Sequence, residues 1–387
     1  MPKKAGPAIP AASTPNGDTS AYHLLPTRLS AGQAKQYIAE LTEDPWERDM
    51  PSIMLWGGPG VGKSSISEQL TLERGWGFID IRLTQVQLID VVGLPYIERI
   101  VRDGEIPDAV TRFARSVFLP TRDKSRWIIM LDELVSATPA IQTQAYQLMS
   151  EHRAGPHVLD PGVHVIAAGN RSTDKGVVYR MPSPLVNRCV HIEIEPHIDD
   201  WLDYMMPRGV APEVVAYLRR YPQRLLELHA DIDTIPFPSP RSWTYTSRIL
   251  LKYLARYPRE AALARVRPLI EGLIGPGVAN DFLLFLRVFH EIPDPETIID
   301  GLDSPEPPSD PDALYALTSS LVGLTRTRRD LTHFLRYILK LPKTFAVLAV
   351  RDAFRAGQEV RDRLTSSPVW PDVAHELKHD IIMAAAP

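Results

Sequence analysis

The stretch Gly57-Gly-Pro-Gly-Val-Gly-Lys-Ser64 constrains this chain more than any other. So many glycines in one run do not suit the interior of a helix or strand. The spacing is G-x-x-x-x-G-K-S. Such a backbone curls until several N–H groups point inward, where phosphate oxygens can sit. Its flanks fit the same reading. Ser52 to Trp56 is a short apolar strand, and an amphipathic helix from Lys63 to about Glu73 follows. The helix adds its positive end to the cradle. The residues expected to hold a nucleotide are Gly57, Gly58, Pro59, Gly60, Val61, Gly62, Lys63, Ser64 and Ser65. Lys63 is placed to reach β and γ phosphates, and the Ser64 hydroxyl to ligate Mg²⁺.

A strand, a glycine turn and a helix form the opening unit of an α/β sheet. Further strands are expected at Gly77–Ile81, Trp127–Leu131, His164–Ala168 and Val190–Ile194. Helices are expected at Ala31–Leu41, after Ser30, and at Ala140–His152. Strands alternating with helices predict a mainly parallel sheet of five strands, covered on both faces. After about Glu195 the strand signals stop. Eight helical stretches follow: 199–206, 212–220, 243–257, 260–273, 281–290, 311–324, 330–339 and 343–355. A connection rich in Pro, Asp and Glu joins two of them over Ile292–Pro311. The expected organisation is a disordered tail over residues 1–24, an α/β nucleotide-binding domain over 25–206 and an all-α region over 207–387. The region after about Leu273 carries no readable motif.

A chain of 387 residues is longer than one core usually fills. The formal net charge of −4 gives no overall basic field for nucleic acid. The basic cluster Arg326, Arg328, Arg329, His333, Arg336 and Lys340 has the spacing of a solvated helix face. With Cys189 as the one cysteine, no intrachain disulfide can form. No run resembles a secretory signal or a membrane span, so a cytoplasmic protein is expected.

The run Ile128-Ile-Met-Leu-Asp-Glu133 supplies the second half of a nucleotide site. Four apolar residues deliver Asp132 at a strand end, where it can join the Mg²⁺ shell. Glu133 is placed to polarise a water for attack on the γ-phosphate. His164-Val-Ile-Ala-Ala-Gly-Asn170 delivers an amide at the end of another strand. Ser239-Pro-Arg241 opens a helix with an arginine near its positive end, an unfavourable place without an anion to meet. Pro184-Leu-Val-Asn-Arg188 sets an arginine just before the last strand.

In order and spacing these elements resemble the MoxR-like branch of AAA+ ATPases over about Leu25–Tyr257. The resemblance implies that Asn170 is the sensor-1 residue and Arg241 the sensor-2 arginine. It implies that Arg188 is a finger reaching the nucleotide of the next subunit, with Arg180 a lesser second candidate. Members of this branch insert a hairpin into the second helix. Tyr96–Ile106 matches it, with Asp103-Gly104 as the turn. A shorter hairpin over Val158–Val163, ahead of sensor 1, also matches the pattern. Both would face a central pore. Cys189 stands where relatives often carry an aromatic residue, and the helical region is longer than a minimal lid.

The resemblance implies an enzyme hydrolysing ATP with Mg²⁺ between subunits of a homo-oligomeric ring, a hexamer. Its expected work is chaperone-like remodelling of a protein client, and a von Willebrand factor A domain protein is a common partner. Two alternatives stand beside this reading. One is a nucleic-acid-dependent motor of the helicase type, against which the hairpin offers only Arg99 and Arg102 as basic contacts. The other is a slow, nucleotide-gated scaffold.

Overall fold

The structure is a computed structural model. It describes residues 27–384 apart from 49, 103–104, 172–178, 180, 182 and 229–234. The tail expected over residues 1–24, the turn Asp103-Gly104 and Arg180 lie outside the described residues.

The first half of the chain runs β1 (Arg28–Ser30), α1 (Ala31–Leu41), β2 (Ser52–Trp56), α2 (Lys63–Arg74), β3 (Gly77–Arg82), α3 (Leu88–Val92), β4 (Pro95–Arg102), β5 (Glu105–Phe113), β6 (Trp127–Asp132), α4 (Pro139–Tyr146), β7 (Arg153–Ala154), β8 (His157–Val158), β9 (Val163–Gly169), α5 (Ser183–Val186) and β10 (Cys189–Glu195). The main sheet is parallel throughout, in the order β1-β10-β2-β9-β6-β3. It has six strands rather than five. The extra strand, β1, is too short to show an alternating pattern. Pairing makes it a strand: Arg28, Leu29 and Ser30 lie opposite Glu193, Ile194 and Glu195.

The apolar strands are apolar because both faces are covered. Ile53, Leu55, Ile128, Met130, Ile166 and Ala168 pack on one face with Ala34, Ile38, Ile66 and Leu70 from α1 and α2. Their neighbours Met54, Ile129, Leu131, Val165 and Ala167 pack on the other with Ile141 and Ala145 from α4 and Leu185 from α5. The period of two along each strand therefore feeds two separate cores. Because all six strands run one way, their carboxyl ends share one edge of the sheet. Ligands of open α/β folds bind along that edge.

The inserted hairpin is longer than the expected 96–106. Its arms β4 and β5 pair Pro95 with Phe113 and Tyr96 with Arg112. The run through Pro107 is allowed because each strand of a two-stranded ribbon keeps one open edge. The second hairpin lies at β7 and β8, not at Val158–Val163. Gly155, at φ +54°, makes its turn, while Val163 already pairs with Trp127 in the main sheet. The helix expected to reach His152 stays α-helical only to Tyr146 and continues as a wide π-turn over Gln147–Glu151.

The rest is helical: α6 (Ile198–Met205), α7 (Pro212–Arg220), α8 (Pro240–Leu254), α9 (Arg259–Ile274), α10 (Pro276–Phe285), α11 (Pro295–Ile299), α12 (Pro311–Leu324), α13 (Thr332–Ile338), α14 (Lys343–Arg355), α15 (Gln358–Thr365) and α16 (Trp370–Ala384). One apolar core runs through it from Ile198 to Leu377. Tyr217, Trp243 and Phe282 pack near its middle, with ring centroids 5.2–5.5 Å apart. A buried ion network ties α6 to α7 and α14. Arg219 bonds Asp199 at 2.7 Å and Asp352 at 2.6 Å, and Arg355 reaches Asp199 at 2.8 Å. Burial alone would raise the Asp199 carboxyl, but Arg219, Arg355 and Arg351 outweigh it and hold it at about 2. Among the described residues no helix is long and apolar enough to cross a membrane.

Candidate active site

The phosphate loop joins the carboxyl end of β2 to α2. Gly57, Gly60 and Gly62 have φ of +152°, +77° and +101°, which few other residues adopt without strain. Lys63 is buried. Its ammonium donates to the carbonyls of Gly57 at 2.7 Å and Gly58 at 3.1 Å, and to Asn170 Oδ1 at 2.9 Å. Asn170 arrives there because β9 lies beside β2. On the far side of β9, β6 delivers Asp132, whose Oδ2 accepts from the Ser64 hydroxyl at 2.8 Å. The order of the strands thus brings residues 63, 64, 132 and 170 together.

Glu133 follows Asp132 in the left-handed region, at φ +60°. A non-glycine residue held there costs on the order of 1–3 kcal/mol. Its N–H is anchored on Asp132 Oδ1 at 2.9 Å, and its carboxylate accepts from the Thr84 hydroxyl. Asp80, on the neighbouring β3, has its carboxyl raised, first by partial desolvation and then by the Asp132 charge. Negative charge is therefore crowded at this corner. Among the described residues no cluster of three or more His, Cys, Asp or Glu could hold a metal alone. Ser64 and Asp132 instead present two hard oxygens, which suits Mg²⁺ shared with phosphates.

The start of α8 closes over the loop. The Arg241 N–H donates to Gly60 O at 3.3 Å, and a Cβ on Gly60 would stand 2.9 Å from Ser239 Oγ. Ser239 caps α8 by accepting from the Ser242 N–H. Between loop, α6 and α8 lies a cleft of about 270 Å³, lined by Gly60, Ser65, His197, Tyr204, Arg241 and Tyr245 among others.

Arg188 is elsewhere. Cys189 lies opposite Ser52, at the amino end of β2, whereas the loop leaves the carboxyl end after Trp56. Five strand residues at about 3.3 Å each separate them, roughly 16 Å. The exposed Arg188 lies over the Tyr146 ring, Cζ 5.3 Å from its centroid, and donates to the Tyr146 hydroxyl. Burial pushes the thiol of Cys189 up to about 12, so it is not a reactive neighbour.

Residues 53–196 match the family model described as ATPase family associated with various cellular activities (AAA). Residues 53–196 are thus similar to AAA ATPase domains. Curated proteins gave no match. Solved structures did. A RuvB point mutant from Thermotoga maritima is 15% identical, covering 77% of this chain and 82% of its own, with a TM-score of 0.37. Another Thermotoga maritima RuvB, described as a Holliday junction branch migration motor, is 16% identical over 77% and 83%, with a TM-score of 0.36. NtrX from Brucella abortus is 13% identical over 92% and 69%, with a TM-score of 0.37.

Within residues 53–196, Thr84, Tyr146 and Arg171 were not expected. Arg171 bonds the buried Glu193 at 2.6 Å and lies beside Gly58. Only its place next to Asn170 could have singled it out. Thr84, two residues past β3, and Tyr146, inside an amphipathic helix, carry no signal of their own.

Proposed function

We propose that this chain is a MoxR-like AAA+ ATPase that hydrolyses ATP at the subunit interfaces of a hexameric ring and remodels a protein client. The observation that carries this reading is the separation of Arg188 from the loop of its own chain. A cation some 16 Å from the phosphate cradle, at the other edge of the sheet, cannot serve its own nucleotide. Head-to-tail contact would set that edge against the next subunit's carboxyl edge, and such contacts close into rings.

In this reading the cleft beside α6 and α8 takes the nucleoside, and Gly57–Ser65 wraps the phosphates. Ser64 and Asp132 would hold Mg²⁺, which neutralises phosphate charge when bound. Lys63 exchanges its carbonyl partners for phosphate oxygens. Glu133 orients and deprotonates the attacking water once released from Thr84, while Asn170 positions that water. Arg241 senses the γ-phosphate from the lid. Arg188 of the neighbour stabilises charge developing in transfer. The base of the hairpin of β4 and β5 offers exposed Tyr96 and Ile97 beside the exposed Leu94 that precedes it, an apolar surface suited to a protein client rather than to phosphates. A von Willebrand factor A domain protein is the partner that the MoxR resemblance suggests.

Mixing two inactive variants tests the interface reading. Arg188→Ala keeps its loop, and Lys63→Ala keeps its finger. Rings containing both, verified by co-purification through different tags, should regain ATPase activity above either parent. Mixed rings without recovered activity would sink the assignment of Arg188.

A further inference from the structure

Trp56 ends β2, and Gly57 of the phosphate loop follows it. Its indole Nε1–H donates to His191 Nδ1 at 2.8 Å, with the two rings stacked 5.9 Å apart at 18°. The contact is diagonal across two strands. His191 lies opposite Met54, and Trp56 opposite Glu193, so both rings stand on the same face of the sheet. The other nitrogen, Nε2, is 2.9 Å from the carbonyl of Val186. Because Nδ1 accepts from the indole, the neutral ring carries its proton on Nε2 and donates it to that carbonyl.

Val186 is the last residue of α5. Carbonyls at a helix end have no partner within the helix and take one from outside. Here His191 supplies it, two residues before Arg188. Backbone bonds help to hold the rest of that turn, Arg188 N–H to Leu185 O at 3.1 Å and Ser52 N–H to Arg188 O at 3.1 Å, while the Arg188 side chain rests on Tyr146. One imidazole therefore spans from the residue that precedes the loop to the turn that carries the finger.

We propose that His191 is a positioning residue, coupling each subunit's phosphate loop to the finger that the same subunit presents to its neighbour. The inference rests on the interface reading of Arg188. Its physical basis is the bonding of Lys63, whose ammonium holds the carbonyls of Gly57 and Gly58. Phosphates compete for that ammonium, so the backbone that nucleotide must disturb starts one residue after Trp56. A shift of the Trp56 indole is passed to His191, and from His191 to the end of α5. His191 touches no phosphate and acts only through Arg188.

The mixed ring reads this directly. His191→Phe keeps an aromatic ring and removes both hydrogen bonds. Placed in the finger donor, alongside Lys63→Ala, it should lower the recovered ATPase activity about tenfold, the scale of two lost part-buried hydrogen bonds of modest strength. Placed in the loop donor, alongside Arg188→Ala, it should leave recovery and nucleotide affinity unchanged. Equal losses in both positions would make His191 a general structural residue and overturn the proposal, as would no loss in either. If His191→Phe does not fold, Trp56→Phe, which removes only the indole donor, is read in the same two positions with the same expectation. Parent mixtures that never recover activity overturn the interface reading itself, and this proposal with it.

Discussion

The two edges of the central sheet are built on opposite principles. At the carboxyl edge, polar groups from four separate segments satisfy one another: Lys63 with Asn170, Ser64 with Asp132, and Glu133 with Thr84. Three glycines with positive φ and a strained Glu133 hold them there. The amino edge presents one exposed arginine resting on one tyrosine. The first edge is a nearly closed constellation. The second is a single group whose target, on the proposed reading, lies in a neighbouring copy. On that reading one chemical site is divided between the two edges of the sheet, and neither edge alone would be competent.

The largest effect that would sharpen this contrast is on hydrolysis at the amino edge. Arg188→Ala should bind ATP with unchanged affinity and lose about 10³–10⁵ in turnover, the range for a supplied arginine in phosphoryl transfer. Weakened binding in titration with a fluorescent ATP analogue would place Arg188 at its own nucleotide and break the contrast. Glu133→Gln, at the carboxyl edge, should also bind ATP while losing about 10²–10⁴ in rate, because an amide cannot take a proton. A variant that hydrolyses at the wild-type rate would assign the water to another residue. Gly60→Ala should act on binding instead. A left-handed φ of +77° and a Cβ 2.9 Å from Ser239 Oγ make the substitution strained. A penalty of at least about 1 kcal/mol, or roughly fivefold in affinity, is expected. Affinity equal to wild type would show that the loop is not pinned against α8.

Acid should separate the edges more gently. His164, near the amino end of β9, is pushed down to about 4, chiefly by burial. Below pH 6.5 the unfolded chain takes up this proton before the folded one, so the contribution of His164 to stability falls from about pH 6.5 and is gone near pH 4. Asp199, beyond the carboxyl end of β10, sits at about 2, below its unfolded value of 3.8. Its contribution is intact above about pH 4 and lost as pH falls toward 2. The contribution is roughly 2–3 kcal/mol for Asp199 and roughly 3–4 kcal/mol for His164. Hydrogen exchange at pH 5 should therefore loosen β9 while α6 keeps its protection. The reverse order would contradict the assigned environments.

The sequence made the carboxyl edge legible because each piece is local. A strand of apolar residues ending in Asp132, or in Gly169-Asn170, shows both its direction and its cargo. The glycine loop states its own backbone conformation. The fold class followed from the alternation of such strands with helices. What escaped depends on distant partners. β1 exists only because β10 is beside it. Thr84 matters only because β3 and β6 are neighbours, and Tyr146 only because α5 ends over it. In the helical region α11, α15 and α16 went unread. Asp294 caps α11 by accepting from the Glu296 N–H, yet in sequence it sits inside a proline-rich connection. Proline there marks the first turn of a helix rather than its absence.

The clamp around Asp199 has a mechanical consequence. β10 is seven residues long, about 23 Å at the usual rise. Arg188 precedes its first residue, and only Pro196 and His197 separate its last from α6. The network of Asp199, Arg219, Asp352 and Arg355 welds α6 to α7 and α14. Between the far helices and the arginine there is one rigid rod and one short joint. A load applied to α14, whether by a partner or by a neighbouring copy, would meet β10 across that one joint, and β10 carries Arg188 at its far end.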